Sequence, residues 1–137
     1  MRHFLHLFPA LLLMAALGVA CTESFEHRCQ REAREFTEKQ CPRLIDKEAC
    51  IVMDSMTFGT APLGFTYYYH VQGKLDNPDL LSEETLLNFR ENLLANVRQD
   101  ISLKPYKEKG FTFTYRYLSG STGHLFTEAV IGPEDYR

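Results

Sequence analysis

The chain has 137 residues, 18 acidic against 15 basic side chains, a net charge of −3 at pH 7 and 45% apolar residues. That length suits one domain. The mild acidic balance gives no footing on phosphate backbones, so nucleic acid is not the expected partner.

The first stretch, Met1–Cys21, orders charge, apolar residues and small residues as a secretory signal does. Arg2, helped by His3 and His6, is the positive end, and Ala10 to Leu17 is an apolar run. His6 and Pro9 interrupt it, and it falls short of the roughly 20 residues a spanning helix needs. Leu17-Gly18-Val19-Ala20-Cys21 resembles the lipobox of bacterial lipoproteins. That resemblance implies removal of residues 1–20 and lipid attachment at Cys21, giving a membrane anchor of several acyl chains. Thr22, where an Asp would retain the protein at the inner membrane, implies the outer membrane of the cell envelope. Ordinary cleavage leaving Cys21 unmodified is the alternative.

Residues 21–137 are expected to form a single α+β domain. A helix is predicted over 22–40, where Phe25, Cys29, Ala33 and Phe36 make one apolar stripe beneath a densely charged face. Pro42 stops it. Strands are predicted at 51–58 and 65–71, the second (FTYYYHV) rich in β-branched and aromatic residues. Alternation places Phe65, Tyr67, Tyr69 and Val71 on one face and Thr66, Tyr68 and His70 on the other.

Ser82 caps a second predicted helix over 82–101, with Glu83 and Glu84 in its first turn and Leu81 and Leu86 placed as a hydrophobic staple. Its expected buried stripe is Leu86, Phe89, Leu93, Val97 and Ile101, with Leu94 beside it. Strands follow at 111–118 and 124–131. In the first of these, Phe111, Phe113, Tyr115 and Tyr117 should face the core and Thr112, Thr114 and Arg116 the solvent. The α-β-β-α-β-β order predicts a four-stranded antiparallel sheet with two helices on one face.

Beyond Cys21 the cysteines are Cys29, Cys41 and Cys50. An oxidising envelope favours a disulfide. Cys29 and Cys41 would lie about 18 Å apart on one helix and should not pair. A Cys41–Cys50 bridge would staple the turn between helix and strand, and Cys29–Cys50 stays open as the other pairing.

Cys41-Pro42, Asp46, Asp54-Ser55, Tyr67-Tyr68-Tyr69 and Pro133-Glu134-Asp135-Tyr136 together resemble a broad group of small uncharacterised bacterial envelope proteins. The resemblance carries no activity.

Catalytic patterns are weak. His70 could act as a general base oriented by Asp54, with Ser55, Ser119 or Ser121 as nucleophile, but no G-x-S-x-G elbow is present. A strand histidine is the simpler reading. No dinucleotide or phosphate loop and no zinc spacing occurs, so neither cofactor nor metal is expected. Tyr68, His70 and Arg116 on a wet sheet face would suit a protein partner, because Tyr and Arg are enriched at binding hot spots. The expected function is a non-catalytic, membrane-anchored envelope protein that binds another protein. An inhibitor or immunity protein is the variant within that class, and a small envelope hydrolase using His70 is the competing class.

Overall fold

The computed structural model describes residues 22–137. The signal at 1–20 and the lipid site at Cys21 lie outside the described residues.

Helix α1 (Phe25–Gln40) begins at Ser24, whose hydroxyl accepts the His27 N–H. Cys29 and Ala33 are buried beneath it, while Phe25 and Phe36 pack at its two ends. Its outer face carries an ion-pair ladder in which Arg31 reaches Glu23 at 2.8 Å and Glu35 at 3.4 Å, and Lys39 reaches Glu35 at 3.2 Å. The chain then forms β1 (Arg43–Asp46), β2 (Ile51–Thr60) and β3 (Leu63–Val71). Asp46 Oδ1 closes the β1–β2 turn by accepting the Glu48 and Ala49 N–H groups at 2.9 and 2.8 Å.

A connection with 3-10 turns at Gly73–Leu75 and Pro78–Leu80 leads to α2 (Glu83–Gln99), capped by Ser82 on the Thr85 N–H. A further 3-10 turn (Ile101–Leu103) and α3 (Lys104–Glu108) precede β4 (Thr112–Ser119), β5 (Leu125–Ile131) and α4 (Pro133–Tyr136). No helix among the described residues is long and apolar enough to cross a membrane.

The strands form one five-stranded sheet in the order β1-β2-β3-β4-β5. Every pairing is antiparallel except β3 with β4, which is parallel. This corrects the expected four-stranded antiparallel sheet on two counts. The added strand β1 is four residues long and exposed throughout, so it carries no periodic burial signal. The parallel seam arises because α2 runs back between β3 and β4, returning the chain to the end of the sheet where β3 began. The architecture is α+β with a mixed sheet and four helices.

Both long helices lie on the sheet face carrying Phe65, Phe113 and Ile131, which with Cys29, Ala33, Leu94, Val97 and Phe111 form the main core. Phe111, Phe113 and Ile131 are wholly buried. Full burial of such side chains favours folding by roughly 1.5–3 kcal/mol each before entropy is charged. Further along the sheet, Tyr67 stacks on Tyr115 (5.0 Å, 23°) and Tyr69 on Tyr117 (4.6 Å, 8°) as register neighbours across the parallel seam. Burial pushes the Tyr69 phenol up to about 12 and raises Tyr67, Tyr115 and Tyr117 further.

The buried stripe of α2 differs from the expected one. Leu94 and Val97 are its buried residues, Leu93 is half-buried, and Ile101 is 84% exposed. The helix ends at Gln99, so Ile101 sits in the following 3-10 turn, off the helical stripe. At the far terminus, Arg90 Nη2 meets Asp135 Oδ1 at 2.8 Å and ties α4 to α2. Arg90, with the Gly132 N–H, holds the Asp135 carboxyl below the usual carboxylate range.

Candidate functional site

The sheet face opposite the helices carries Thr66, Tyr68 and His70 on β3 and Thr112, Thr114 and Arg116 on β4, all half-buried. In the parallel register Tyr68 stands directly beside Arg116. The guanidinium lies 5.7 Å from the centre of the Tyr68 ring, within cation–π range. Its Nε is 3.0 Å from Oε2 of Glu128, the cross-strand partner on β5. That approach is an ion pair without hydrogen-bond alignment, since Nε is buried and has no hydrogen-bond partner.

His70 is fixed at both ring nitrogens. Nδ1 lies 2.7 Å from Asp54 Oδ1, and Nε2 lies 2.6 Å from the Gln72 amide nitrogen. This pattern sets one tautomer, with Nδ1–H donating to the carboxylate and Nε2 accepting from Gln72. Asp54 reaches the ring from the bulge between Met53 and Ser55, where the β2–β3 register shifts. Gly120 packs on the end of this cluster; a Cβ there would stand 3.3 Å from His70 Cδ2 and 2.8 Å from the Val71 carbonyl.

The structure therefore brings Asp54 to His70 and Tyr68 to Arg116. It does not bring a serine to the histidine. Ser119 is buried, its Oγ lying 3.2 Å from Ser121 Oγ and accepting the Thr122 N–H at 3.1 Å. The Ser121 N–H donates to Asp76 at 2.8 Å. The Ser119 and Ser121 hydroxyls hold the Asp76 carboxyl below its ordinary range. Among the described residues no group of three or more His, Cys, Asp and Glu side chains is placed to hold a metal.

The Cys41–Cys50 bridge expected from the sequence is not formed, nor is Cys29–Cys50; all three thiols are free. Cys41 packs against the cluster of Met53, Tyr69, Val71 and Tyr117, whereas Cys50 adjoins Gly73 just before β2. Asp46 pairs with Ile51 next to Cys50, whereas Cys41 lies beyond Arg43, which pairs with Met53, so the antiparallel ladder places the two cysteines toward opposite ends. β1 intervenes in the chain between the two cysteines and carries them apart. Burial pushes the Cys29 and Cys41 thiols up, as for inert packing cysteines.

One feature escaped the sequence reading. A cavity of about 320 Å³ opens at the carboxyl ends of β3 and β4. Ile51, Val71, Tyr117 and Phe126 come from the sheet, Leu86 and Phe89 from α2, and Leu75, Leu80 and Leu81 from the connection before it. Phe89 meets the Tyr117 ring edge-on at 4.8 Å and forms part of the wall. The nearest signal in the sequence is the leucine-rich run ahead of Ser82, which reads as a staple for one helix end.

No curated protein matches the chain. A crystal structure of a Pseudomonas aeruginosa protein provisionally classed as secreted (PA3611) superposes with a TM-score of 0.63. It covers 85% of this chain and 100% of its own at 12% identity, so the likeness is one of fold. Residues 24–126, from the cap of α1 into β5, match the domain of unknown function DUF8479, and the chain belongs to that family.

Proposed function

We propose that this protein is a lipid-anchored component of the bacterial envelope that binds a partner protein through its helix-free sheet face. The anchor rests on the lipobox-like Leu17–Cys21, and the extracytoplasmic placement is supported by the secreted class given to the Pseudomonas aeruginosa protein of the same fold. The observation that carries the binding reading is the Tyr68–Arg116–Glu128 arrangement. It holds an aromatic ring and a guanidinium in fixed relation on a face that no described helix covers. Such a pre-positioned pair loses little side-chain freedom when a partner docks.

His70 belongs to the same face as a positioned polar group. Gln72 occupies the ring nitrogen that a general base would turn toward a nucleophile, which speaks against the hydrolase reading.

A photo-crosslinking residue placed at Thr114, beside the pair, should give one discrete protein adduct in intact cells. Tyr68→Ala with Arg116→Ala should abolish that adduct while leaving the protein folded and abundant. Absence of any adduct, or an adduct indifferent to the double substitution, would overturn the reading.

A further inference from the structure

We infer that the cavity at the carboxyl ends of β3 and β4 is a binding site for a single unbranched acyl chain. No charged side chain lines it, and its polar lining is confined to Thr85, Thr127 and Tyr117. An inserted group must therefore be uncharged and nearly devoid of hydrogen-bonding atoms, because a buried polar group left unpaired is costly. The volume of about 320 Å³ stands at the low end of ligand pockets, which run to roughly 1,000 Å³, so it suits one chain and not a folded segment.

The surroundings suit an occupant that is apolar along its length and polar at one end. Leu86, Phe89 and Thr127 also border a second depression between α2 and β5, which continues past Leu87 and Val130. The depression shares those three side chains with the cavity but also carries Glu83, Arg90 and Glu128, so charged groups stand where the apolar lining ends. Leu75 and Leu80, which line the cavity, are 45% and 48% exposed. Exposed apolar side chains at a cavity mouth mark a binding surface. A flexible hydrocarbon can fill the cavity while its polar head stays in solvent at the rim. Free fatty acids and membrane lipids both supply such a chain.

The full-length protein, purified in a detergent that does not compete, is titrated with the fluorescent fatty acid cis-parinaric acid. A saturable fluorescence rise that dodecanoate reverses is expected. Leu86→Trp fills the cavity, and Leu80→Asp charges its rim at an exposed position with little risk to folding. Each should weaken binding by about tenfold or more. Arg116→Ala, on the other sheet face, should leave it unchanged, so failure of this site and failure of the proposed protein-binding face are read separately. Phospholipid that co-purifies with the protein, detected by mass spectrometry of an organic extract and lost in Leu86→Trp, assigns the chain to a bilayer lipid. Binding of dispersed dodecanoate without such co-purification assigns it to a free acid. No saturable rise in the wild-type protein, as for a cavity that takes only a partner's side chain, overturns the inference, as does binding that neither cavity substitution weakens.

Discussion

Gly64 shows how one missing side chain sets the sheet. It pairs with Thr112 at the first rung of the parallel seam, and a Cβ there would lie 1.8 Å from the Thr112 carbonyl oxygen. That oxygen is backbone within a strand and cannot step aside without breaking the ladder. Gly64→Ala should therefore destabilise by about 3 kcal/mol or more, or prevent folding, as read from urea melts. Gly59→Ala, whose Cβ would meet nothing nearer than 3.7 Å, is the matched control and should cost far less. From the sequence alone Gly64 reads as a breaker between strands. Its real constraint comes from a residue 48 positions later, which local pattern does not reveal. The facing of Tyr68, His70 and Arg116 is different, because strand alternation is a local property of period two. Their pairing partners, Asp54 through a bulge and Glu128 through the β5 register, depend on the assembled sheet.

At the scale of elements, the stripe expected for α2 is buried at Val97 and half-buried at Leu86, Phe89 and Leu93, and its centre shifts toward Leu94. Leu94 is 6% exposed, whereas Leu93 is half-buried. Leu94→Ala should cost about 2–5 kcal/mol, and Leu93→Ala distinctly less, in paired urea melts. Equal losses would show that both leucines face the core. A leucine pair offers two neighbouring helical stripes of similar hydrophobicity, and the choice falls to the sheet beneath. Phe113 and Ile131 meet α2 on one side of the seam while α1 covers the other. β1 was illegible for the opposite reason. Its four residues are all exposed, so no burial pattern distinguishes them from the turn that follows. The cavity was hidden too, because much of its wall comes from a connection whose Gly, Asn and Pro mark it as a break between elements.

At the scale of the molecule, stability should be graded from centre to edge. β3 is flanked on both sides and carries the stacked tyrosines, whereas β1 is a short exposed edge with Leu44 56% and Ile45 45% exposed. Amide hydrogen exchange should be fastest in β1 and slowest in β3 and β4, separated by orders of magnitude. Uniform protection across the sheet would contradict this order. The molecule also has two distinct ends. Phe25, at the start of α1, packs on Phe111 where β4 begins, while the cavity lies where β3 and β4 finish, about 20 Å away by strand rise.

The parallel seam also has a consequence in time. Synthesis delivers α1 and the first three strands well before β4, whose first paired residue follows Gly64 by 48 positions. Until then β3 is an unsheltered edge, presenting free backbone donors and acceptors beside Tyr67 and Tyr69. A nascent chain held at that stage would display, to any neighbouring copy, the strand that the finished protein protects best.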